Sequence, residues 1–554
     1  MIFMIKRELY LSKIRKFIDK EEIKAITGVR RCGKTCLLKQ IIDELEKRGV
    51  NNENILYVSL ESSKYDNIKD YVDLNEYIFK QTENLKGKIY LLFDEIQLVS
   101  NWEKSINAYR IDLNCDIYIT GSNSKLLSGD AVFDLTTGKS VYRYQDEKLY
   151  RPASVEKIIT SVTALAQLGA DYTMDTGLRY RGKIENDTLK GSLYLIGGFD
   201  PEFMDEDLDR LVDALASQGI RYVTDTLAAD VSMTDSVYWG SGWCWDDTPY
   251  SFQPYLSPLM LNRGCVDVSV SPAQKDSLPQ VVCTPASDYY QVHNHGVSRN
   301  PQAGKLKITR NWLSNGNIIT VSGNVSYPYT EKLNVYTSKD FFFHTFVSRL
   351  RSKGIEARTC TYADCPVTAD SIVTLYTVRR PLKEVLERAL KKSDNLCAES
   401  MFYHLAAKRS LHKRVTGEDG TDAIHAFMKT ALGFNPENYK IADGSGVSVY
   451  NYISPRLLLE YLKYAYYHRE IFLPFYESLP IAGVDGTLQN RMKQTKARGN
   501  VHAKTGSVTG VSSLAGYVKA ADGHQLAFVI INQNVLKLSR ARAFQDKFCD
   551  ILSR

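Results

Sequence analysis

Arg151-Pro-Ala-Ser154-Val-Glu-Lys157, followed by Ile158-Ile-Thr-Ser-Val-Thr-Ala-Leu-Ala-Gln-Leu168 and Gly169, is the stretch from which the rest of the chain is read. Proline breaks any preceding helix, apolar residues recur at Ile158, Val162, Leu165 and Leu168, and Gly169 is a natural C-terminal stop. The pattern predicts that Ser154 opens a buried helix. Ser154 and Lys157 are three apart, which puts both side chains on one face, one turn from each other. A serine hydroxyl becomes a useful nucleophile when a base takes its proton, and a lysine in a dry site is neutral enough near pH 7 to be that base. The same spacing also occurs on ordinary solvated helix faces, so four residues alone identify nothing.

Two later stretches change the reading. Ser393-Asp394-Asn395 follows Lys391-Lys392, and Lys504-Thr505-Gly506 ends the strand-like run Val501-His502-Ala503. Each has an innocent alternative, a helix cap or turn for the first and a strand exit for the second. Together, in this order, the three match the signature of serine enzymes that acylate on β-lactams and D-alanyl peptides. With Leu193 to Pro201 (Leu-Tyr-Leu-Ile-Gly-Gly-Phe-Asp-Pro), Asp443-Gly-Ser-Gly446 and Gly483-Val-Asp-Gly-Thr487, the chain from about Ala131 to the C-terminus resembles the class C low-molecular-mass penicillin-binding proteins, D-alanyl-D-alanine carboxypeptidases and endopeptidases.

The resemblance implies a set of roles. Ser154 attacks the carbonyl between two D-alanines, Lys157 takes its proton, and water resolves the acyl-enzyme. Ser393 relays a proton to the leaving amine, Asn395 binds the peptide amide, and Lys504 and Thr505 hold the terminal carboxylate. Gly506 and Ser507 complete the substrate-binding strand, and the backbone N–H groups of Ser154 and Ser507 form the oxyanion hole. The implied partners are peptidoglycan stem peptides and β-lactams, with no cofactor for the peptidase. From spacing alone only an activated serine follows. No histidine fits a Ser-His-Asp arrangement, and His502 reads as a packing or surface residue.

Ser154 and Ser393 are 239 positions apart, more than one serine-acylating domain needs. The intervening chain alternates short β-rich runs with turns, so residues 178–376 read as a β-rich insertion, and the peptidase-like domain as residues 131–177 and 377–554. The tryptophans between Trp239 and Trp245 read as core aromatics sooner than as a carbohydrate surface. Helices are expected over 381–389, 397–412, 422–432, 455–467 and 539–552, and strands over 501–505, 512–520 and 525–532. The expected layout is a helix cluster against an antiparallel sheet with the serine helix between, a β-lactamase/transpeptidase-like fold.

The first 130 residues carry different chemistry. A short apolar strand, Ile23 to Thr27, runs into Gly28-Val-Arg-Arg-Cys-Gly33-Lys34-Thr35 and then a helix to about Lys47, a full P-loop in its strand-loop-helix setting. Backbone N–H groups would wrap the phosphates, Lys34 would reach the outer ones, and Thr35 would meet magnesium. Lys88 to Glu95 is an apolar strand ending in two carboxylates: Asp94 for the magnesium shell, and Glu95 for the attacking water. Asn123, in Gly121-Ser-Asn123, falls where a γ-phosphate sensor is expected. ATP and magnesium are the implied ligands, the metal falling to Thr35 and Asp94. With Asp94 to Gln97 and Thr120 to Asn123, this part resembles the AAA-type ATPases, but the further strand, arginine-bearing region and lid of such proteins do not follow. The P-loop strand is therefore expected at a sheet edge. The fold class is multidomain, a partial P-loop α/β sheet followed by an α+β peptidase.

The two readings meet at Asp130/Ala131 with none of the Pro, Ser or charge-rich linker of independent domains, and residues 131–144 read as a hairpin whose first strand has lost its beginning. The chain reads as a fusion of two incomplete modules. One alternative is an ATP-binding module whose peptidase half is inactive or stranded. The other is a chain in which neither half folds.

Composition bounds the rest. Over 554 residues, 44% hydrophobic and 24% charged, the chain is ordinary globular material, and its net charge of +6 comes with no basic tract that argues for nucleic acid. No window approaches the roughly 18 to 20 consecutive apolar residues of a membrane helix. The apolar run at Met1 to Ile5 is too short for a secretory signal, and the ten cysteines are scattered without metal or disulfide spacing. These features predict a cytoplasmic chain, whereas the peptidase resemblance implies an extracytoplasmic one.

Overall fold

The structure, a computed structural model, describes residues 7–27, 33–121, 128–366, 372–410 and 413–554. The chain divides into two compact units, Met1–Ser128 with Asn532–Lys537, and Gly129–Ile531 with Leu538–Arg554.

The first unit is built on four parallel strands, β1 (Lys24–Thr27), β2 (Ile55–Ser59), β3 (Ile89–Asp94) and β4 (Cys115–Gly121), in the order β1-β4-β3-β2. All six residues of β3 are buried, as expected of a central strand covered on both faces. Leu37, Leu38, Ile41 and Leu45 of the helix Lys34–Lys47 pack in one core with Tyr90 and Leu92 of β3, while Leu91 and Phe93 face a second core with Ile106 and Tyr109. Among the described residues β1 has β4 as its one neighbour and so lies at the sheet edge, as expected from the sequence.

Next in the chain come β5 (Ser128–Asp134), all but the first residue of which belongs to the second unit, and β6 (Lys139–Tyr144), an antiparallel hairpin. β5 starts at Ser128, upstream of the boundary expected from sequence, and all seven of its residues are buried. Its first three residues, Ser128 to Asp130, lie on the other side of that boundary.

Next come β7 (Thr173–Glu185), β8 (Thr188–Ile196), β9 (Tyr222–Asp230), β10 (Cys265–Ser271), β11 (Gln280–Thr284), β12 (Gln291–Ser298), β13 (Lys307–Arg310), β14 (Ile318–Val325), β15 (Tyr329–Asn334), β16 (Glu356–Tyr362) and β17 (Ile372–Pro381). They form a mixed five-stranded sheet, β16-β9-β8-β7-β17, and two three-stranded sheets, β11-β10-β15 and β12-β14-β13. Their shared core contains Leu193, Leu211, Val268, Val321, Phe342 and Phe346. β7 and β17, the first and last of these strands in the chain, pair in antiparallel register from Thr173↔Pro381 to Arg181↔Ile372.

The sheet that bears the site has the order β18-β19-β20-β5-β6, with β18 (His502–Val508), β19 (Gly510–Lys519) and β20 (Gln525–Val535). Every residue of the serine helix Glu156–Leu168 from Glu156 to Leu165 is buried. The sequence showed one apolar stripe, but helices cover this one on several sides, including Leu382–Lys391, Asn395–Arg409 and Pro455–Tyr467. The helix Arg469–Ser478 was not foreseen, because Pro474 inside it reads as a breaker.

Candidate active site

Pro152 ends the incoming chain, and Ala153–Val155 makes a single 3₁₀ turn before the serine helix. Ala153 takes a φ of 52°, a left-handed conformation uncommon outside glycine. Two glycines let other segments close on this turn. A Cβ on Gly446, whose φ is 81°, would stand 2.1 Å from the Ala153 carbonyl oxygen. A Cβ on Gly506 would stand 2.9 Å from the Pro152 oxygen and 3.1 Å from the Ser154 nitrogen. The backbone of β18 therefore runs directly beside the Ser154 N–H.

Lys157, fully buried, has its Nζ 3.0 Å from Ser154 Oγ, 2.7 Å from Asn395 Oδ1 and 2.7 Å from the Ser445 carbonyl oxygen. Burial lowers its pKa to about 8, against the opposing pull of Asp443 and Glu399. A neutral amine here keeps two N–H donors for Asn395 and Ser445 and turns its lone pair to the Ser154 hydroxyl. Asn395 is held in turn by its Nδ2, which donates to the Phe252 carbonyl at 2.9 Å and to Gln253 Oε1 at 3.3 Å.

Across the site Lys504 Nζ, also fully buried, donates to Ser393 Oγ at 2.7 Å and to the Thr505 carbonyl at 2.8 Å. Burial, with the nearby Lys157, pushes its pKa well below that of a free lysine. Ser393 takes a φ of 58°, and Asp394 caps the helix Asn395–Arg409 by accepting from the Cys397 N–H. Arg388 Nε bridges Asp394 at 2.8 Å and Glu202 at 2.9 Å. Thr505 Oγ1 donates to Thr487 Oγ1 at 2.7 Å, and Ser507 Oγ accepts from Arg542 at 3.3 Å. Ser154, Lys157, Ser393, Asn395, Lys504, Thr505, Gly506 and Ser507 thus belong to one constellation.

Beneath it lies a carboxylate that sequence reasoning gave no role. Asp443 accepts from the Gly446 N–H at 2.8 Å, the Ser448 N–H at 2.7 Å, Asn451 Nδ2 at 2.7 Å, Trp243 Nε1 at 2.8 Å and Ser445 Oγ at 3.2 Å. These bonds fix the loop whose Ser445 carbonyl holds Lys157. The one available signal was Asp-Gly-Ser-Gly itself, which entered the resemblance without a role for its aspartate. Glu156 and Glu399 are buried nearby, and burial holds Glu156 well above the usual carboxyl range and Glu399 at about 8. Trp243 is buried, as a core aromatic should be, while Trp245 is exposed. His502 stacks on Tyr476 with ring centroids 4.1 Å apart, a packing role.

Among the described residues, Glu202, Asp394 and Cys397 are the one cluster of metal-ligand type. Its carboxylates are already paired with Arg263 and Arg388, which leaves little for a cation.

In the first unit, Gly33, with a φ of 88°, caps the helix Lys34–Lys47. Lys34 Nζ lies 3.1 Å from Glu95 Oε1, Asp94 Oδ2 accepts from Tyr57 OH at 3.2 Å, and Asp94 Oδ1 accepts from Thr120 Oγ1. Thr120 Oγ1 also accepts the Glu95 N–H at 2.9 Å. Lys34 and Thr35 open the helix while Asp94 and Glu95 end or follow β3, so Lys34 and two buried carboxylates share one end of the sheet. Gly28 and Asn123 lie outside the described residues.

Comparison with known proteins agrees with both halves. The model of an AAA domain matches residues 20–145, and that of the D-Ala-D-Ala carboxypeptidase 3 (S13) family matches residues 116–554; the two spans overlap over 116–145, which holds β4, β5 and β6. The chain is 30% identical over 438 residues to a D-alanyl-D-alanine carboxypeptidase of Actinomadura, covering 73% of this chain and 77% of that one. It is 28% identical over 396 residues to a D-alanyl-D-alanine carboxypeptidase of Haemophilus influenzae, covering 70% and 81%. The crystal structure of penicillin binding protein 4 from Haemophilus influenzae superposes with a TM-score of 0.67 at 26% identity, over 77% of this chain and 96% of that one.

These matches correct the cytoplasmic expectation, since strong similarity to carboxypeptidases that work outside the cytoplasm conflicts with it. Among the described residues, no helix is long and apolar enough to cross a membrane. An N-terminal AAA-type segment is joined to a serine-type peptidase domain, and by that domain the chain belongs to the D-Ala-D-Ala carboxypeptidase 3 (S13) family.

Proposed function

We propose that the Ser154 centre hydrolyses the peptide bond between two D-alanine residues of peptidoglycan stem peptides through an acyl-enzyme, and that β-lactams acylate the same oxygen. The observation that carries this reading is Lys157 Nζ, 3.0 Å from Ser154 Oγ, with its other two bonds already committed to Asn395 and Ser445. Neutral Lys157 accepts the Ser154 proton as Oγ bonds to the carbonyl carbon. The developing oxyanion is received by the backbone N–H groups of Ser154 and Ser507, donors worth roughly 3 kcal/mol each in related chemistry.

As the C–N bond breaks, the proton that Lys157 took from Ser154 passes by way of Ser393, which lies 2.7 Å from Lys504, to the leaving amine, and Lys157 is neutral again. Lys504 suits this relay because burial and Lys157 disfavour its charged form. Water then attacks the ester, its proton goes to the neutral Lys157, and Lys157 returns a proton to Ser154 Oγ as that oxygen leaves. Asn395 binds the peptide amide, while Thr505 and Ser507 face the terminal carboxylate with Gly506 keeping the strand close to the serine turn.

The AAA-type segment is read as an ATP and magnesium site. Lys34 would take the outer phosphates, Thr35 and Asp94 would hold magnesium, and Glu95 would orient water, with Gly28, Gly33 and Asn123 completing the loop and sensor. The residues fit such a ligand: a buried lysine at a helix N-terminus stands beside two buried carboxylates. Bound nucleotide supplies phosphate charge there, for which Lys34 would exchange its pairing with Glu95.

Release of D-alanine from a stem-peptide analogue tests the peptidase. The parent protein is expected to liberate it and Ser154→Ala to liberate none; equal release by both would refute the assignment.

A further inference from the structure

The substrate proposed above ends in a carboxylate, and the side chains around β18 pose a charge problem. Lys504, the cation nearest in sequence, is fully buried, already donates to Ser393 Oγ and the Thr505 carbonyl, and is pushed toward its neutral form. It is a poor counterion. At the exposed edge of the same strand, Thr505 and Ser507 are two apart and so share a face. Thr487 adds its hydroxyl to that of Thr505 at 2.7 Å. Arg542, exposed on the C-terminal helix Leu538–Leu552, donates from one guanidinium nitrogen to Ser507 Oγ at 3.3 Å. Among the described residues no carboxylate lies within ion-pair distance of Arg542, so its fork of donors faces a hydroxyl and solvent.

The arginine is also held in place. Arg491 Nη2 donates to the Arg542 carbonyl at 3.3 Å and to Asp546 at 2.6 Å, and Gln545 Nε2 reaches Ser512 Oγ of β19 at 3.2 Å. These bonds dock this turn of the helix on the sheet and fix where the guanidinium starts from. A planar, permanently charged donor group that meets one hydroxyl and no acid is built for a carboxylate oxygen pair.

We propose that Arg542 supplies the positive charge of the subsite that receives the substrate's terminal carboxylate, with Ser507, Thr505 and Thr487 as the neutral donors around it. This inference rests on the acyl-transfer reading. It makes Arg542 a specificity-determining residue: it binds the free acid in the ground and transition states alike and takes no part in proton transfer.

The test uses a tripeptide ending in D-alanyl-D-alanine and the same peptide with a C-terminal carboxamide, turned over by the full chain, by Arg542→Ala and by Arg542→Lys. The parent protein is expected to prefer the acid. In Arg542→Ala, KM for the acid should rise by about tenfold with kcat within about twofold, and kcat/KM for the amide should stay level, as loss of uniform binding to one charged group requires. Arg542→Lys, which keeps the charge but loses the fork, should fall between. An unchanged acid-to-amide preference in Arg542→Ala would overturn the proposal, and so would a parallel loss on both substrates, which is the mark of a structural role. Failure of the parent protein to turn over either peptide would instead bring down the acyl-transfer reading beneath it.

Discussion

Lys157 and Asn395 are 238 positions apart in the chain and meet at 2.7 Å, Nζ to Oδ1. The contact joins the serine helix to the first residue of the helix Asn395–Arg409 and places both beside Ser154. It also means that the base of the proposed reaction is oriented by a residue reached only after the strands β7 to β17.

Removing that base has a defined effect. Lys157→Ala should slow acylation of Ser154 by about 10²- to 10⁴-fold, the usual worth of a positioned general base. Rapid-quench mass measurement of the acyl-enzyme reads this directly, and a loss of less than tenfold would assign the base elsewhere.

The pH profile follows from the burial of Lys157. Its folded pKa, about 8, lies below the ordinary 10.5, so the neutral, competent form gains population as pH rises. The acylation rate should climb close to tenfold per pH unit below about 8 and level off above it. Linkage has the same sign: between about 8 and 10.5 the unfolded chain binds more protons at this residue, so its contribution to stability improves with rising pH across that window. A rate that falls from pH 6 to 8 would contradict the assignment of the base.

Asp443 gathers five donors under the site. Asp443→Ala leaves buried N–H groups of Gly446, Ser448 and Trp243 without their acceptor, at about 1 to 3 kcal/mol for each that stays unpaired. The midpoint of thermal unfolding should drop by several degrees, and acylation should slow because the Ser445 carbonyl loses its fixed position. Calorimetry together with the acylation rate checks both.

Gly446→Ala tests the close approach of that loop to the serine turn. With φ at 81° and the Ala153 oxygen 2.1 Å from the added carbon, the loop or the turn must move. Acylation should fall at least tenfold while the unrelated AAA-type segment keeps its nucleotide response.

For that segment, ATP with magnesium at about 100 times its Kd should stabilise the chain by about 2.7 kcal/mol, and Lys34→Ala should abolish the shift. Nucleotide-dependent melting reads it. An equal shift in the variant would remove Lys34 from the site.

What was legible in the sequence was what local spacing controls. Ser154 and Lys157 lie one helical turn apart, and the structure places them 3.0 Å from each other. The edge position of the P-loop strand followed from a strand count, because a parallel sheet that lacks its last strand leaves β1 with one neighbour. The meeting of Ser393 with Lys504 at 2.7 Å came only through resemblance, since no periodicity links positions 111 apart. Asp443 and Thr487 lay in segments that carried the resemblance but were given no role, and Arg542 carried no signal. A turn aspartate, a loop threonine and a helix arginine are ordinary residues until the fold sets them beside the Lys157 loop and β18. The start of β5 at Ser128 was not legible either, because strand pairing with the C-terminal sheet is absent from any local window.

The most direct test of the central claim is the intact mass of the purified chain after incubation with benzylpenicillin, run beside Ser154→Ala. The account predicts one covalent adduct per parent chain, mapped to Ser154, and none on the variant. A folded parent chain that takes no adduct, or a variant that takes the same one, would contradict it.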